Sequence, residues 1–455
     1  PYYFYDLQGH IFTDLNEKDR ISFSFYNGID DFAFNDLSLN AYWGNKTGSF
    51  AFRRVFTQKL IGNFLLAKSR FFTRFSLGGD FGLNSENYID DLTASADLSY
   101  FLSADLNIIF GGQLKNYKIS YESSFGDSST FNLPYEPSET SIYTKVKWKP
   151  NSKLIVEPGI RINTFTAHDQ SFYPDFRFGM KYILNSSQFI NLAVGNYHQF
   201  IETFQDDYNP PFLDNWVAID NSVDPAMSTQ YVLGYEQYIG REYKLQVEGY
   251  YKDIKNLLTF EEKRASTDGQ LPSENLSDLL KPADGYAYGL ELFGQKTAGK
   301  LTGWLAYTWS VSRKKMDGNE YFTNWDRSHV FNVLGSYQAN KKYELNWKWT
   351  LQSGQAYTPI NGYFMENLPG NPEFQYRTIP GTRNGGRYPA YHRLDLGLVR
   401  HSKFRNEKFD VFLQIINTYN RKNVFRYVYN LGSIYNGIDD DGDWDVLKHD
   451  KNKNK

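Results

Sequence analysis

The stretch YPAYHRLDLGLVRHSKFRNEKFDVFLQIINTYNRKNVFRYVY, Tyr388–Tyr429, decides the fold. Leu394, Leu396 and Leu398 alternate with Arg393, Asp395 and Gly397. An extended chain here shows one apolar face and one face carrying a cation, an anion and a gap. A polar turn follows at Arg405, Asn406 and Glu407, and the alternation then resumes with Phe409, Val411, Leu413 and Ile415 on one side and Asp410 and Gln414 on the other. The stretch reads as a hairpin of two half-apolar strands. A single hairpin of this kind also suits a soluble sandwich, so the choice depends on how often the pattern recurs.

It recurs along the whole chain. Period-2 segments predict eighteen strands, near 2–15, 20–34, 43–57, 63–80, 89–102, 104–125, 137–149, 153–167, 172–184, 188–202, 226–239, 242–260, 284–297, 301–315, 325–338, 342–355, 388–403 and 408–430, more than open sheets usually hold. Short turns at Asn16–Asp19, Pro150–Lys153, Asn185–Ser187, Gly240–Glu242, Ala298–Lys300 and Asn340–Lys342 alternate with long loops, among them 203–225, 261–283 and 356–387. Long loops confined to one end mark an up-and-down outer-membrane barrel, with tight periplasmic turns and extended extracellular loops. Segments such as 63–80 and 104–125 exceed the roughly 9 to 11 residues that cross a bilayer, so their hairpins are expected to stand above it. The predicted fold is all-β, a transmembrane antiparallel up-and-down β-barrel over residues 1–436, followed by an acidic, polar extracellular loop or tail over 437–455.

Composition agrees. Single cores rarely reach 455 residues, yet no linker or charge run divides this chain, so one large repetitive architecture fits best. With 36 Tyr, 36 Phe and 9 Trp the chain is rich in aromatics, while its mean hydropathy is only -0.58. Apolar residues toward lipid and polar residues toward a lumen reconcile the two. No window approaches the roughly 18 consecutive apolar residues of a spanning helix; the best run, Leu60–Ala67, is interrupted by Gly62 and Asn63. The net charge of -3 argues against a nucleic-acid partner. The absence of cysteine excludes disulfides, thiol nucleophiles and thiolate metal sites. The sequence opens in mid-strand with PYYFYDLQGHIF and reads as truncated, so the missing signal peptide does not bear on destination.

The hairpin DGYAYGLELFGQKTAGKLTGWLAYTWSVS, Asp284–Ser312, resembles the C-terminal half of TonB-dependent outer-membrane receptors. So do NWDRSHVFNVLGSY (Asn324–Tyr337), PAYHRLDLGLVR (Pro389–Arg400) and FLQIINTYNRKNVFRY (Phe412–Tyr427). PYYFYDLQGHIF and WGNKTGSFAFRRVF (Trp43–Phe56) are similar to earlier strands of the same barrels, in the versions found in Bacteroidetes-like bacteria. The resemblance implies a 22-stranded barrel, an N-terminal plug inside it and a TonB-binding segment ahead of the plug. Neither plug nor TonB-binding segment is recognised here, nor a closing strand after Tyr435. If the first short turn is periplasmic, the eighteen strands are numbers 4 to 21 of that barrel, a fragment without the plug, about three leading strands and one closing strand.

Candidate chemistry is sparse. In IDDDGDWD, Asp439, Asp441, Asp443 and Asp445 alternate around Gly442 and offer oxygen ligands to a hard cation such as Ca²⁺, without the distal bidentate Glu of an EF-hand; the alternative is a solvated acidic loop. No other cofactor is expected. His329 and His392 fall in family-like motifs near strand starts and read as rim or lumen-wall residues. Trp325, Asp326 and Arg327, with Arg393 and Asp395, offer ion pairs in the lumen that hold strands or brace a plug. Phe204, Tyr208, Phe212 and Trp216, then Tyr357, Tyr363, Phe364, Phe374 and Tyr376, lie in long loops where an extracellular ligand arrives first, and aromatic rings stack on sugars or flat chelates. No nucleophile elbow, phosphate-binding glycine loop or supported carboxylate pair is found, so no enzyme is expected.

The function that follows is uptake of a scarce solute (siderophore, cobalamin, oligosaccharide or peptide) through a plugged barrel. Its partners would be outer-membrane lipid, the TonB complex through a plug, the extracellular ligand and a surface lipoprotein. A passive porin, an outer-membrane enzyme and a soluble β-rich binding protein are the rival readings.

Overall fold

A computed structural model describes residues 2–34, 39–77, 83–125, 128–170, 172–204, 215–260, 280–366, 375–405, 407–425 and 427. Its twenty-stranded sheet consists of eighteen wall strands in series, each antiparallel to the one before, and two short arms. The wall strands are β1 (Tyr2–Asp14), β2 (Asp19–Phe34), β3 (Leu39–Thr57), β4 (Leu60–Leu77), β5 (Leu83–Ser103), β6 (Leu106–Phe125), β7 (Ser138–Asn151), β8 (Leu154–Phe165), β9 (Tyr173–Asn185), β10 (Gln188–Gln199), β11 (Ala226–Ile239), β12 (Tyr243–Phe260), β13 (Leu280–Lys296), β14 (Leu301–Met316), β15 (His329–Gln338), β16 (Tyr343–Gln352), β17 (Tyr391–Phe404) and β18 (Glu407–Ile415). The arms, Ser128–Tyr135 and Asn319–Phe322, lengthen the tops of β6 and β14. Among the described residues β1 pairs only with β2, and β18 only with β17.

Register shows why these residues make a wall rather than a sandwich. Opposite Leu290 of β13 stands Trp309 of β14, and opposite Leu292 stands Tyr307. All three apolar side chains Leu290, Leu292 and Trp309 keep 37–40% of their surface exposed. In water such partial exposure would forgo roughly 0.5–1 kcal/mol per large apolar side chain; against lipid it is the stable arrangement. The intervening residues, Glu291 opposite Thr308 and Gly289 opposite Ser310, form the other face. That face carries cross-strand charge ladders elsewhere, with Glu157 held by Lys145 at 2.6 Å and Lys147 at 3.4 Å, and Glu236 between Lys181 at 3.9 Å and Lys244 at 3.6 Å.

Six of the short turns share one device. Side-chain oxygens of Asn16, Asn151, Asn185 and Asn340 accept the backbone N–H two residues on, at 2.8–2.9 Å, and the hydroxyls of Thr57 and Ser103 do the same at 3.2 Å. These Asx and ST turns reverse the chain locally, so one end of the wall needs no packed loops. Every longer connection lies at the other end, as the alternation predicts.

The structure corrects one boundary. The last strand stops at Ile415 instead of running to 430. Asn417 and Asn420 take φ values of 57° and 52°, a left-handed conformation that Asn tolerates and a strand cannot continue through. The chain then hooks back: the Asn417 N–H donates to Asp395 Oδ1 at 2.9 Å, and Asn423 bonds both the N–H and the carbonyl of His392 at 3.1 Å. The long loops carry local pairing of their own. Segment 203–225 holds part of a small hairpin, and 356–387 holds a second, Ile360–Glu366 with Gln375–Pro380, above a two-residue ladder of Ala356–Tyr357 with Gly386–Arg387.

Candidate functional site

At the long-loop end, the connection between β10 and β11 folds across the barrel mouth. Its strands Ile201–Phe204 and Asn215–Ala218 pair with Ile201 opposite Ala218. Val217, Ala218 and Ile219 are at most 1% exposed and pack with Tyr117, Ile119 and Tyr121 of β6, Phe165 of β8 and Tyr173 of β9. The Phe165 and Phe200 rings stack at 5.0 Å, with Tyr173 edge-on to Phe200 at 4.9 Å. This is the main apolar core among the described residues, and it lies in the mouth.

One asparagine fastens the hairpin to the far wall. Asn87 of β5 is fully buried; its Nδ2 donates to the carbonyls of Trp216 and Ser120, both at 2.9 Å, and its Oδ1 accepts the Trp216 N–H at 2.7 Å. The carboxamide takes the place of a neighbouring strand's peptide and satisfies backbone groups that burial would otherwise leave unpaired. The Trp216 ring meets Phe71 of β4 edge-on at 6.3 Å. Further stitches run from Tyr135 to Asp220 at 3.3 Å and from the Asp169 N–H to Asn221 at 2.7 Å.

Glu202 lies in the same core, 5% exposed. Its Oε2 accepts the Leu258 N–H at 3.1 Å, while Oε1 has no partner. Burial pushes this carboxyl up to about 7, although the backbone N–H groups of Leu258 and Ala226 and the charge of Lys314 pull it down. In an undocked, hydrated hairpin it would titrate near its ordinary 4.5. Below that pH both forms are protonated and docking is unaffected. Between about 4.5 and 7 the docked form keeps a proton that the undocked form releases, so docking weakens as pH rises, by about 3 kcal/mol in all above 7. Hydrogen exchange of residues 215–219, corrected for intrinsic rates, should therefore be slower at pH 5 than at pH 8, and Glu202→Gln should remove most of that difference. Equal protection at the two pH values in the unsubstituted protein would refute it.

Across the mouth, Asp326 ties down the connection between β16 and β17. It is 3% exposed; its Oδ1 accepts the Ser312 N–H at 2.7 Å and its Oδ2 accepts from Arg387 Nη2. Arg387 Nη1 also donates to the Asp326 and Gly354 carbonyls, at 2.8 and 3.2 Å. The guanidinium groups of Arg387 and Arg313 lie 4.3 and 3.8 Å from the Phe322 ring centroid. Asn384 Nδ2 donates to the Phe322 carbonyl at 2.7 Å. Between this assembly and the hairpin remains a cavity of about 80 Å³, bordered by Thr203, Leu258, Lys314, Thr323 and Asn384, room for two or three waters.

The residues singled out from the sequence are thus dispersed. Asp326 pairs with Arg387, whereas Arg327 reaches Gln352 and, at 3.3 Å, Gln355. Arg393 and Asp395 pair with each other along β17 at 2.8 Å. His329 bonds half-buried Tyr307 at 2.9 Å and His392 bonds exposed Tyr419 at 2.8 Å. Trp216 is a packing residue, and Tyr357 stacks on Tyr388 at 4.4 Å with Tyr427 edge-on at 5.4 Å. Tyr363 and Phe364 are 42% and 49% exposed, and Trp325 60%. Tyr208, Phe212, Phe374 and the four aspartates Asp439, Asp441, Asp443 and Asp445 lie outside the described residues, as do the side chains of Phe204 and Tyr376. Among the described residues no group of three or more metal-type ligands converges. Sequence reasoning missed Asn87, Glu202 and Arg387. Asn inside a strand and a lone Glu between Ile201 and Thr203 were the available signals, since neither suits a strand or an apolar run without a partner.

Comparison with known proteins fits this geometry. The family model described as TonB dependent receptor-like, beta-barrel matches residues 1–431. Among solved structures, Pseudomonas aeruginosa FpvA bound to heterologous pyoverdines superposes with a TM-score of 0.67 at 13% identity, over 92% of this chain and 61% of that one. The FrpB iron transporter from Neisseria meningitidis gives 0.64 at 11% over 91% and 67%, and the ferric citrate transporter FecA gives 0.67 at 11% over 93% and 66%. The chain spans about three fifths of the length of the first structures it matches. Comparison with curated proteins returned no match. The chain therefore belongs to the TonB-dependent receptor-like β-barrel family, non-enzymatic barrels of the Gram-negative outer membrane.

Proposed function

We propose that this barrel imports a scarce extracellular solute by a TonB-energised route, the energy arriving through a plug domain. The observation that carries the reading is the connection between β10 and β11, which folds across the mouth and is pinned to the far wall by Asn87. An open diffusion channel gains nothing from a packed apolar core at its entrance, whereas a gated receptor needs ordered binding surface there. Tyr363, Phe364 and Trp325 present rings beside that entrance, suited to the flat face of a metal chelate or a sugar. Siderophore, cobalamin, oligosaccharide and peptide remain the candidate classes; the pyoverdine and ferric citrate named for the similar structures favour a metal chelate. A surface lipoprotein is a further candidate partner.

The test is growth of a strain lacking the full-length gene on limiting ferric chelates, cobalamin, oligosaccharides or peptides, with and without an active TonB system. Deletion is expected to abolish growth on one class at micromolar supply, and loss of TonB function to reproduce the defect. Solute entry through the restored receptor that is unchanged without TonB would make it a passive channel and overturn the proposal.

A further inference from the structure

We propose that the cavity where three connections meet at the mouth holds a small inorganic anion, of chloride or nitrate size, bound by Lys314, Arg383 and the Thr323 hydroxyl. Its walls come from the hairpin between β10 and β11 (Thr203), the top of β12 (Thr259), β14 (Lys314), the connection that follows β14 (Tyr321 and Thr323) and the connection between β16 and β17 (Arg383). The space, about 80 Å³, takes a guest of only a few atoms. The site is therefore separate from recognition of a bulky imported solute.

Local structure aims both cations at this space. On β14 the alternation that turns Trp309 outward puts Lys314 on the inward face with Ser310, and its Nζ donates to Thr259 Oγ1 at 3.0 Å. Arg383 stands in a turn closed by the Gly385 N–H on the Thr382 carbonyl at 2.9 Å, with Asn384 at φ 51° and its N–H on Thr358 Oγ1 at 3.0 Å. The Arg383 guanidinium lies 4.6 Å from the Tyr321 ring centroid. Leu258, Thr259, Tyr321 and Asn384 are all buried, so the two cations meet in a covered space where charge is weakly screened.

The lining is rich in donors and short of acceptors. Thr323 Oγ1 is buried with no hydrogen-bond partner among the described residues. Nearby acceptors already serve neighbours, Thr259 Oγ1 for Lys314 and Asn324 Oδ1 for Asn384. Among the described residues no carboxylate lines the cavity. The acids around it are engaged elsewhere, Asp326 by Arg387 and the Ser312 N–H and Glu320 by Arg313 and Lys315 at 3.6 Å each, while Glu202 feels the charge of Lys314 without lining the space. Two cations directed into one covered space repel, and an anion between them turns that repulsion into attraction. Water suits such a lining poorly, because it brings protons of its own that need acceptors. A guest that only accepts hydrogen bonds fits, and it ties the hairpin between β10 and β11 to the connection between β16 and β17.

The test compares the full-length receptor, in detergent and without solute, in about 100 mM chloride and about 100 mM gluconate, which screen equally although gluconate is too large for the cavity. Hydrogen exchange over residues 321–325 and 382–385 should be about tenfold slower in chloride, the factor 1 + [L]/Kd for an ion at roughly ten times its Kd. Crystals soaked in bromide should show an anomalous peak in the cavity. Lys314→Gln with Arg383→Gln should abolish both effects, Thr323→Val should cut the chloride dependence severalfold with both cations intact, and Lys255→Gln, whose lysine pairs with Asp284 at 3.0 Å away from the cavity, should change nothing. Equal exchange in chloride and gluconate, a cavity empty of bromide, or full chloride dependence in the double variant would overturn the proposal. Heat-modifiable migration in gels verifies that each variant has folded; if the double variant has not, Thr323→Val alone decides, and unchanged chloride dependence in it overturns the proposal.

Discussion

Replacing Asn87 by Ala should release the mouth hairpin while leaving the barrel wall standing. The substitution removes two donated bonds at 2.9 Å and one accepted bond at 2.7 Å. It leaves the N–H and C=O of Trp216 and the C=O of Ser120 facing a space too confined for full hydration. Each stranded buried group costs about 1–3 kcal/mol, so a net loss of roughly 3 kcal/mol is expected even after relaxation. Hydrogen exchange over residues 215–219 should then accelerate about a hundredfold, because protection there reports local opening and not global unfolding. The wall strands should keep their protection, since β5 pairs with β4 and β6 along its whole length. Ligand affinity should fall together with exchange protection if the hairpin forms part of the binding surface. Exchange unchanged at Trp216 would show that the apolar core alone holds the hairpin.

The second large effect is expected at Asp326. Asp326→Ala strands the Arg387 guanidinium and the Ser312 N–H in a site where the carboxyl is almost wholly covered, its side chain 1% exposed against 31% for Arg387. Losing one partner of a fully buried ion pair costs about 3–5 kcal/mol, and because Arg387 keeps part of its surface in water and its bonds to two backbone carbonyls, roughly 2 kcal/mol is expected here. Here the cost should appear as undocking of the connection from Ser353 to Ala390, seen as rapid proteolysis within that segment and a melting transition below that of the wall. The double change Asp326→Ala with Arg387→Met should recover much of the loss, because no uncompensated charge remains. If the single substitution is as resistant to protease as the unsubstituted protein, the tether is a surface contact and the stacking of Tyr357 on Tyr388 holds the loop instead.

The sequence reading passed over Asn87 and Arg387 and named Asp326 as an ion-pair residue without its partner, whereas the wall itself was legible. Alternation such as Leu394, Leu396 and Leu398 against Arg393, Asp395 and Gly397 is a local property, set by the period of two in an extended chain. Turns such as Asn16–Asp19 announce themselves because an Asx turn is closed by neighbours in sequence. The side and order of the long loops follow from these two alone, as each strand must reverse the direction of the one before. The boundary at β18 was misread because FLQIINTYN remains apolar past Ile415. What ends the strand is partnership with Asp395 and His392, contacts from another part of the chain.

Sequence alone thus determined the wall, its lipid-facing and inward-facing sides, and the end from which the loops leave. Tertiary structure decided what closes the mouth. A side chain's role there depends on which backbone group arrives from far along the chain: Asn87 is an unremarked strand residue until Trp216, 129 residues away, comes within 2.7 Å. The same holds for Glu202, whose raised proton affinity comes from burial beneath β12 and not from its neighbours in sequence. Strand periodicity is written into each short segment, but desolvation and long-range hydrogen bonding exist only once distant segments have met.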